Sequence, residues 1–226
     1  MGEVIRLDDP DIAVRLNRSA RARRFTLSLR PGAPEARLTA PAHAPEREAR
    51  AFLLRHSDWL RDAIARAPRA VAVGDGATLP IGGRMTQVRV APGLRSCRLE
   101  GDALLAPAVA GPAVAAFLKL RARDAIAPEA LRAAAALGRT PRRIAFRDTR
   151  SRWGSCSAQG DLAFSWRLAM APPEVQAYVA VHEAAHLVEM NHGPGFWALV
   201  ARLMPDYRLR RAWLRREGAG LHLYRF

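Results

Sequence analysis

The first third of the chain alternates apolar and polar side chains in short runs, the pattern of half-buried strands. Two such runs occupy residues 25–30 and 37–40, with a Pro-Gly turn between them at residues 31–32. Residues 45–67 place their apolar side chains near helical spacing instead, and glycine-rich turns then lead to another alternating run at Thr86–Val90. The pattern therefore predicts a β-rich N-terminal lobe that contains one helix.

The rest of the chain combines helical patterns with short apolar strands, which predicts an α+β fold. Strands are predicted at residues 144–146 and 162–166, and helices at residues 112–137, from Pro172 onward, and at 196–203 and 206–217. The helix that begins at Pro172 is apolar most of the way round, which indicates that it is buried. Residues 91–111, rich in proline, glycine and alanine, are the predicted boundary between an N-terminal lobe (1–107) and a second domain (108–226).

The buried helix carries the motif His182-Glu183-Ala184-Ala185-His186, which has the form HExxH. Positions i and i+4 of a helix lie only about 40° apart, so both imidazoles project from one face and can bind one ion. Catalytic zinc takes three protein ligands and keeps one position open for water. Glu183 lies beside the first histidine and can act as general base without ligating the ion.

His192 is the predicted third ligand, and Glu189 is its rival. His192 can reach the ion if the chain leaves the helix and turns back, and Asn191 tolerates the left-handed conformation of such a turn. Glu189 lies on the helical face, but a straight helix places an i+7 residue about 10 Å along the axis. The remaining alternative is a helix whose imidazoles only pack, although burying them with Glu183 and no partners would be costly.

The net charge of +15 points to an anionic partner, such as a nucleotide or nucleic acid. Lys119 is the only lysine, however, and this skew toward arginine indicates a coding bias that weakens the argument from charge. Five arginines near the C-terminus are expected to form either a solvated helix face or an anion-binding strip: Arg208, Arg210, Arg211, Arg215 and Arg216.

The composition favours a cytoplasmic protein that does not enter membranes. The first residues lack the basic-then-apolar order of a signal peptide, and no apolar run approaches the roughly 18 residues of a membrane span. The two cysteines, Cys97 and Cys156, are too few for a disulfide framework and fit free thiols in a reducing compartment.

Seven short segments of the C-terminal half carry a more specific pattern: Arg152–Ser157, Ser165–Leu168, Ala171–Pro172, Tyr178–His186, Asn191–His192, Phe196–Trp197 and Met204–Tyr207. They closely resemble the YgjP-like metal-dependent hydrolases, which are zincin-type metallopeptidases related to the SprT and WLM groups. A weaker similarity reaches Arg21–Leu27 and the glycines of residues 74–83. The family's usual HELxH core has alanine at position 184 here, a change that touches no ligand.

The resemblance implies a zincin-like core, in which a mixed sheet packs on the HExxH helix and an edge strand borders the cleft. The strand that ends near Trp166 is the expected edge, and residues 108–226 are the expected metallopeptidase domain. His182, His186 and His192 would bind Zn²⁺, and Glu183 would be the base. Arg152 and Trp153 could line the cleft or serve the fold. Cys156 is expected to pack, with a reactive thiol as the alternative. Tyr207 is expected to pack or to make a surface contact, with stabilisation of an oxyanion as the alternative.

The sequence thus predicts a zinc-dependent hydrolase, most simply a metallopeptidase that acts on a peptide or protein. Two alternatives keep the metal and change the partner. A nucleotide or other phosphate ester would suit the arginine excess. A DNA-associated protease would follow the SprT and WLM relatives, although the sequence contains no recognisable DNA-binding module.

Overall fold

The computed structural model describes residues 3–7, 12–29 and 35–226, which form two compact units, Met1–Ala70 and Val71–Phe226. The Pro-Gly turn at residues 31–32 lies outside the described residues. The predicted boundary at residues 107 and 108 falls inside the second unit. Val73, Val88 and Leu104 pack there in the same core as Val114 and the helices that follow. Burial of their side chains therefore joins residues 71–107 to the C-terminal helices.

The first unit is a four-stranded sheet with two helices, in the order β1 (Val4–Arg6), β2 (Ala13–Ser19), β3 (Thr26–Ser28), β4 (Ala36–Pro41), α1 (Glu46–Arg55) and α2 (Ser57–Arg66). The strand order is β1-β2-β4-β3, with β2 and β4 parallel. The single helix predicted at residues 45–67 is two helices. The chain leaves helical geometry at His56 (φ −114°, ψ 13°), whose Nδ1 lies 2.8 Å from the carbonyl oxygen of Phe52.

The second unit begins with a four-stranded sheet and a long helix. Its elements are β5 (Val71–Ala72), β6 (Thr78–Ile81), β7 (Arg84–Val90), β8 (Arg98–Glu100), β9 (Ala103–Ala106) and α3 (Ala110–Ala136). The sheet has the order β6-β7-β9-β8. The helix ends where predicted, because Gly138 takes the left-handed conformation (φ 65°) that releases the chain.

The remaining elements follow α3 in the chain and include the motif helix. They are β10 (Arg143–Arg147), β11 (Gly154–Cys156), β12 (Asp161–Ser165), α4 (Pro173–Ala185), α5 (Pro194–Leu203), α6 (Tyr207–Glu217) and β13 (Tyr224–Arg225), with short 3₁₀ turns at Trp166–Met170 and Gly218–His222. The motif helix α4 packs along α3 and also contacts α5, α6 and β11. Among the described residues, no helix combines the length and apolarity needed to cross a membrane.

The sheet beside α4 is mixed, with the order β10-β12-β11. The central strand β12 pairs in parallel with β10 and antiparallel with β11. The prediction that the strand ending near Trp166 forms the edge is therefore wrong. Leu162 and Phe164 of β12 are fully buried, as is expected for the apolar side chains of a central strand. Of these three strands, β11 is the edge that faces α4.

Arg167 is a buried cation that holds the C-terminal segment in place, and sequence reasoning did not identify this role. Its side chain is 4% exposed and forms an ion pair with Asp148, with Nε 2.6 Å from Oδ1. Its Nη1 donates to the carbonyl oxygens of Leu221 and Tyr224 at 3.2 and 3.1 Å. Partial burial raises the pKa of Asp148, but the hydrogen bond and charge of Arg167 outweigh this effect and leave that pKa below its ordinary value.

We expect Arg167→Ala to lower the free energy of unfolding by about 2–4 kcal/mol, because it leaves two carbonyls and one carboxylate without their shared donor. Chemical denaturation followed by circular dichroism measures this loss. Arg142→Ala is the matched control, because it removes an exposed arginine from an ion pair with Asp161 and should cost less than about 1 kcal/mol. Equal losses in the two variants would contradict a structural role for the buried cation.

Candidate metal centre

The motif helix α4 places the first two histidines on one face of its last turn. Prolines at residues 172 and 173 begin the helix, and burial of Val175, Val179 and most other side chains fixes its position. The rings of His182 and His186 lie one helical turn apart, with their centroids separated by 5.1 Å. The i, i+4 spacing therefore does what the sequence predicted, and it brings two imidazoles together without strain.

The chain leaves α4 immediately after His186 by tightening into i→i−3 hydrogen bonds. The backbone N–H groups of Leu187 and Val188 donate to the carbonyls of Ala184 and Ala185 at 3.0 and 3.1 Å. No non-glycine residue in the described part of the chain has a positive φ, and Gly193 has φ −78°. The predicted left-handed turn at Asn191 is therefore wrong, because the tightened helix end already redirects the chain.

This turn returns His192 to the other two histidines. Nε2 of His192 lies 3.0 Å from Nε2 of His182, and one ligand nitrogen from each of the three rings falls within 4.8 Å of the others. No acidic or cysteine side chain of the described residues joins this group, so Glu189 is not part of it. Exposure increases from buried His186 through half-buried His182 to exposed His192, so the cluster opens toward solvent on one side.

Two aromatic residues at the start of α5 support the cluster. Phe196 is fully buried, and its ring centroid lies 4.8, 4.5 and 4.7 Å from those of His182, His186 and His192. Trp197 donates from Nε1 to the carbonyl oxygen of His192 at 3.1 Å. The Phe196 ring thus contacts all three imidazoles, and the Trp197 indole holds the segment that returns to the cluster.

The three imidazoles fit a metal ion such as zinc. Burial, followed by the neighbouring positive groups, lowers the pKa of His182 to about 3, and burial also lowers the pKa of His186, so both rings are neutral at pH 7, as metal binding requires. The Nδ1 atom of His186 faces the carbonyl oxygen of Glu189 at 3.0 Å, which makes it the protonated nitrogen and leaves Nε2 for a metal. With Nε2 of His182 and Nε2 of His192 only 3.0 Å apart, the three rings could hold one ion between them.

Glu183 lies next to the cluster and is held against a strand. It is 5% exposed, and burial raises its pKa to about 8, an effect that the charge of Arg152 partly offsets. Gly154 of β11 provides its space, because a Cβ atom there would come within 2.5 Å of Cγ and Oε1 of Glu183. Sequence reasoning did not identify this role of Gly154, although the glycine stands in the motif Arg152–Ser157.

The other candidate residues have mostly structural surroundings. Trp153 stacks on His222 at 4.8 Å and packs against Gly218, so it serves the fold. Burial, with smaller contributions from Glu183 and Asp161, raises the pKa of Cys156 to about 11, which disfavours a reactive thiolate. Tyr207 is buried and stacks on Trp197, with ring centroids 5.3 Å apart. The expectation that Cys156 and Tyr207 pack agrees with these contacts.

One protein-family model matches the chain over residues 23–217, and its description is YgjP-like, metallopeptidase domain. The matched span contains the histidine cluster, Glu183 and Gly154. No curated protein and no solved structure matches the chain.

We expect the protein to bind about one zinc ion per chain, and His192→Ala to weaken that affinity by at least about 100-fold, because one of three ligands is lost. Mass spectrometry of metal content, with titration against a chelating dye, measures both values. His43→Ala is the control, since it removes an exposed histidine outside the cluster. Glu189→Gln should also keep the ion; loss of zinc from that variant would restore the rival ligand.

Proposed function

The chain belongs to the YgjP-like metallopeptidase family, in agreement with the resemblance of its motifs, and from this premise we propose that it is a zinc-dependent metallopeptidase with a zincin-like core. The observation that carries the proposal is the convergence of three imidazoles beside one buried carboxyl group. The family membership supports a metal-dependent hydrolase in general. The choice of zinc and the roles of the residues are our inference from the donor set.

The roles follow from the positions of the side chains. His182, His186 and His192 would hold the ion, which when bound supplies a Lewis acid and lowers the pKa of water. Glu183 takes a proton from the attacking water onto a carboxylate oxygen and then delivers it to the nitrogen of the leaving amine. Burial raises the pKa of Glu183 to about 8 in the ion-free protein, and the positive charge of a bound ion would favour the carboxylate form that accepts the proton.

The edge strand β11 offers a place for the substrate backbone. Within its sheet, Gly154–Cys156 pairs only with β12, so its other edge can accept an extended peptide through main-chain hydrogen bonds. The same strand contacts Glu183 through Gly154. A peptide added to β11 would therefore lie beside the carboxyl group that moves the proton.

We expect Glu183→Gln to reduce peptide hydrolysis by at least about 1,000-fold and to leave zinc content unchanged, because glutamine keeps the shape but cannot take a proton. Cleavage of a fluorescently labelled unfolded protein measures the rate. Glu174→Gln is the matched control, since it changes an exposed glutamate at the start of the same helix.

Full activity in Glu183→Gln would refute the proposed mechanism. Release of phosphate from nucleoside triphosphates, lost in the same variant and accompanied by inert peptides, would favour the phosphate-ester alternative.

We expect Gly154→Ala to reduce the hydrolysis rate by about 100-fold with zinc retained, because a methyl group would push the Glu183 carboxyl group from its position. Steady-state kinetics beside metal analysis separates this effect from loss of the ion. Gly74→Ala is the control, because a Cβ atom there meets nothing within 4 Å. Unchanged kinetics in Gly154→Ala would show that contact with β11 does not position the base.

A further inference from the structure

An arginine-lined groove of about 600 Å³ lies in the second unit, formed by residues at the start of α5 and along α6. Its lining includes Trp197, Tyr207, Arg208, Arg211, Arg215 and Arg216, and no acidic side chain of the described residues contributes to it. The mechanism proposed above uses none of these arginines. The proposed mechanism therefore does not explain the positive charge that this groove presents to solvent.

The groove begins beside the histidine cluster. The indole ring of Trp197 lies 5.8 Å from the ring of His192 and 5.9 Å from that of His182, between centroids. The guanidinium carbon of Arg211 lies 4.4 Å from the centroid of the same indole. Trp197 thus contacts Arg211 and also lies beside two of the candidate metal ligands.

The groove arginines form one stripe of α6, and most of them have no carboxylate partner among the described residues. Residues 208, 211, 215 and 216 fall at i, i+3, i+7 and i+8, which is one helical face. Arg216 pairs with Glu217, but in the described structure no carboxylate lies within ion-pair distance of Arg208, Arg211 or Arg215.

Arg210 points elsewhere on the helix and pairs with Asp206. The helix dipole accounts for basic residues in the last turn only, and like charges at i, i+4, such as Arg211 and Arg215, destabilise a helix. The stripe is therefore unfavourable for the free protein, and an anion in the groove would relieve it.

The chemistry of the groove favours a carboxylate over a nucleotide base. The Trp197 ring is already stacked on Tyr207, with an interplanar angle of 15°, and it also contacts the Arg211 guanidinium. Little aromatic surface is left on which a base could stack, whereas the guanidinium groups can pair with a carboxylate through two parallel hydrogen bonds.

We propose that this groove is a specificity subsite for an acidic residue of the peptide substrate. The inference rests on the proposed peptidase function and adds a substrate class to it. The separations given above place Arg211 no more than about 10 Å from the rings of His182 and His192, and an extended peptide rises about 3.3 Å per residue. The acidic residue therefore lies within about three residues of the scissile bond, and peptides with glutamate or aspartate there are the preferred substrates.

Binding to the metal-free protein tests the subsite without any need for catalysis. Three labelled peptides of equal length carry glutamate, glutamine or lysine around a central bond, and fluorescence anisotropy gives their dissociation constants. We expect the glutamate peptide to bind at least about 10-fold more tightly than the glutamine peptide, because a charged hydrogen bond in a groove gives this order of discrimination. Added salt should weaken the preference.

Variants identify the groove as the cause. Arg211→Gln with Arg215→Gln should abolish the preference for glutamate, and Arg211→Glu with Arg215→Glu should transfer it to the lysine peptide. The control pair, Arg123→Gln with Arg139→Gln, removes the same charge from exposed positions elsewhere in the unit and should keep the wild-type preference. Thermal melts confirm that each variant is folded.

The outcomes separate this inference from the proposed function. Equal binding of the glutamate and glutamine peptides to wild type overturns the subsite, even if zinc-loaded protein cleaves both. Preferential binding of the glutamate peptide without cleavage after zinc is restored overturns the peptidase and leaves the subsite. A nucleoside triphosphate could also displace the labelled peptide at a lower concentration than the unlabelled glutamate peptide does. If that displacement requires Arg211 and Arg215, it overturns the peptide assignment in favour of a phosphate ligand.

Discussion

The burial of α4 is the constraint on which the candidate site depends. The helix Pro173–Ala185 packs against α3, α5, α6 and β11, and most of its side chains are inaccessible to solvent. A helix held on so many sides cannot rotate to present its polar residues to water. His182 and His186 must therefore find partners within the protein, and the returning segment with His192 and Phe196 supplies them, whereas Glu183 packs against Gly154.

The candidate site contains polar groups whose burial lowers stability, and neighbouring residues hold these groups in a fixed geometry. A buried carboxyl group at Glu183 and an Nδ1 atom of His182 without a hydrogen-bond partner both lower stability. Packing of Phe196 on all three imidazoles, and of Gly154 on Glu183, restricts the same groups to one geometry. Proteins commonly accept such local costs where chemistry is performed, because a fixed geometry is what catalysis needs.

The sequence contained the local part of this site and lacked the long-range part. The HExxH spacing and the distance to His192 could be read directly, because helix geometry and short turns are determined by neighbouring residues. The strand order could not, since β12 becomes central only when β11 returns to pair with it, and the edge was therefore assigned to the wrong strand. The contact of Gly154 with Glu183 joins residues far apart in the chain, and no periodic pattern marks it. The turn after His186 was mistaken for a left-handed one because i→i−3 bonding leaves no sequence signature.

The pairing of β5 with β13 has a consequence for how the second unit is connected. Val71 pairs with Tyr224, and Val73 donates to the carbonyl oxygen of Arg225, so the first and last strands of this unit lie side by side. The two ends of the second unit therefore lie close together. Because the two strands are parallel, a linker from residue 226 to residue 71 would have to cross from the end of β13 back to the start of β5, and new ends could then be opened in the exposed turn around Gly93. The order of the elements along the chain is thus separable from the fold that they build, and a circularly permuted unit would retain every contact around α4.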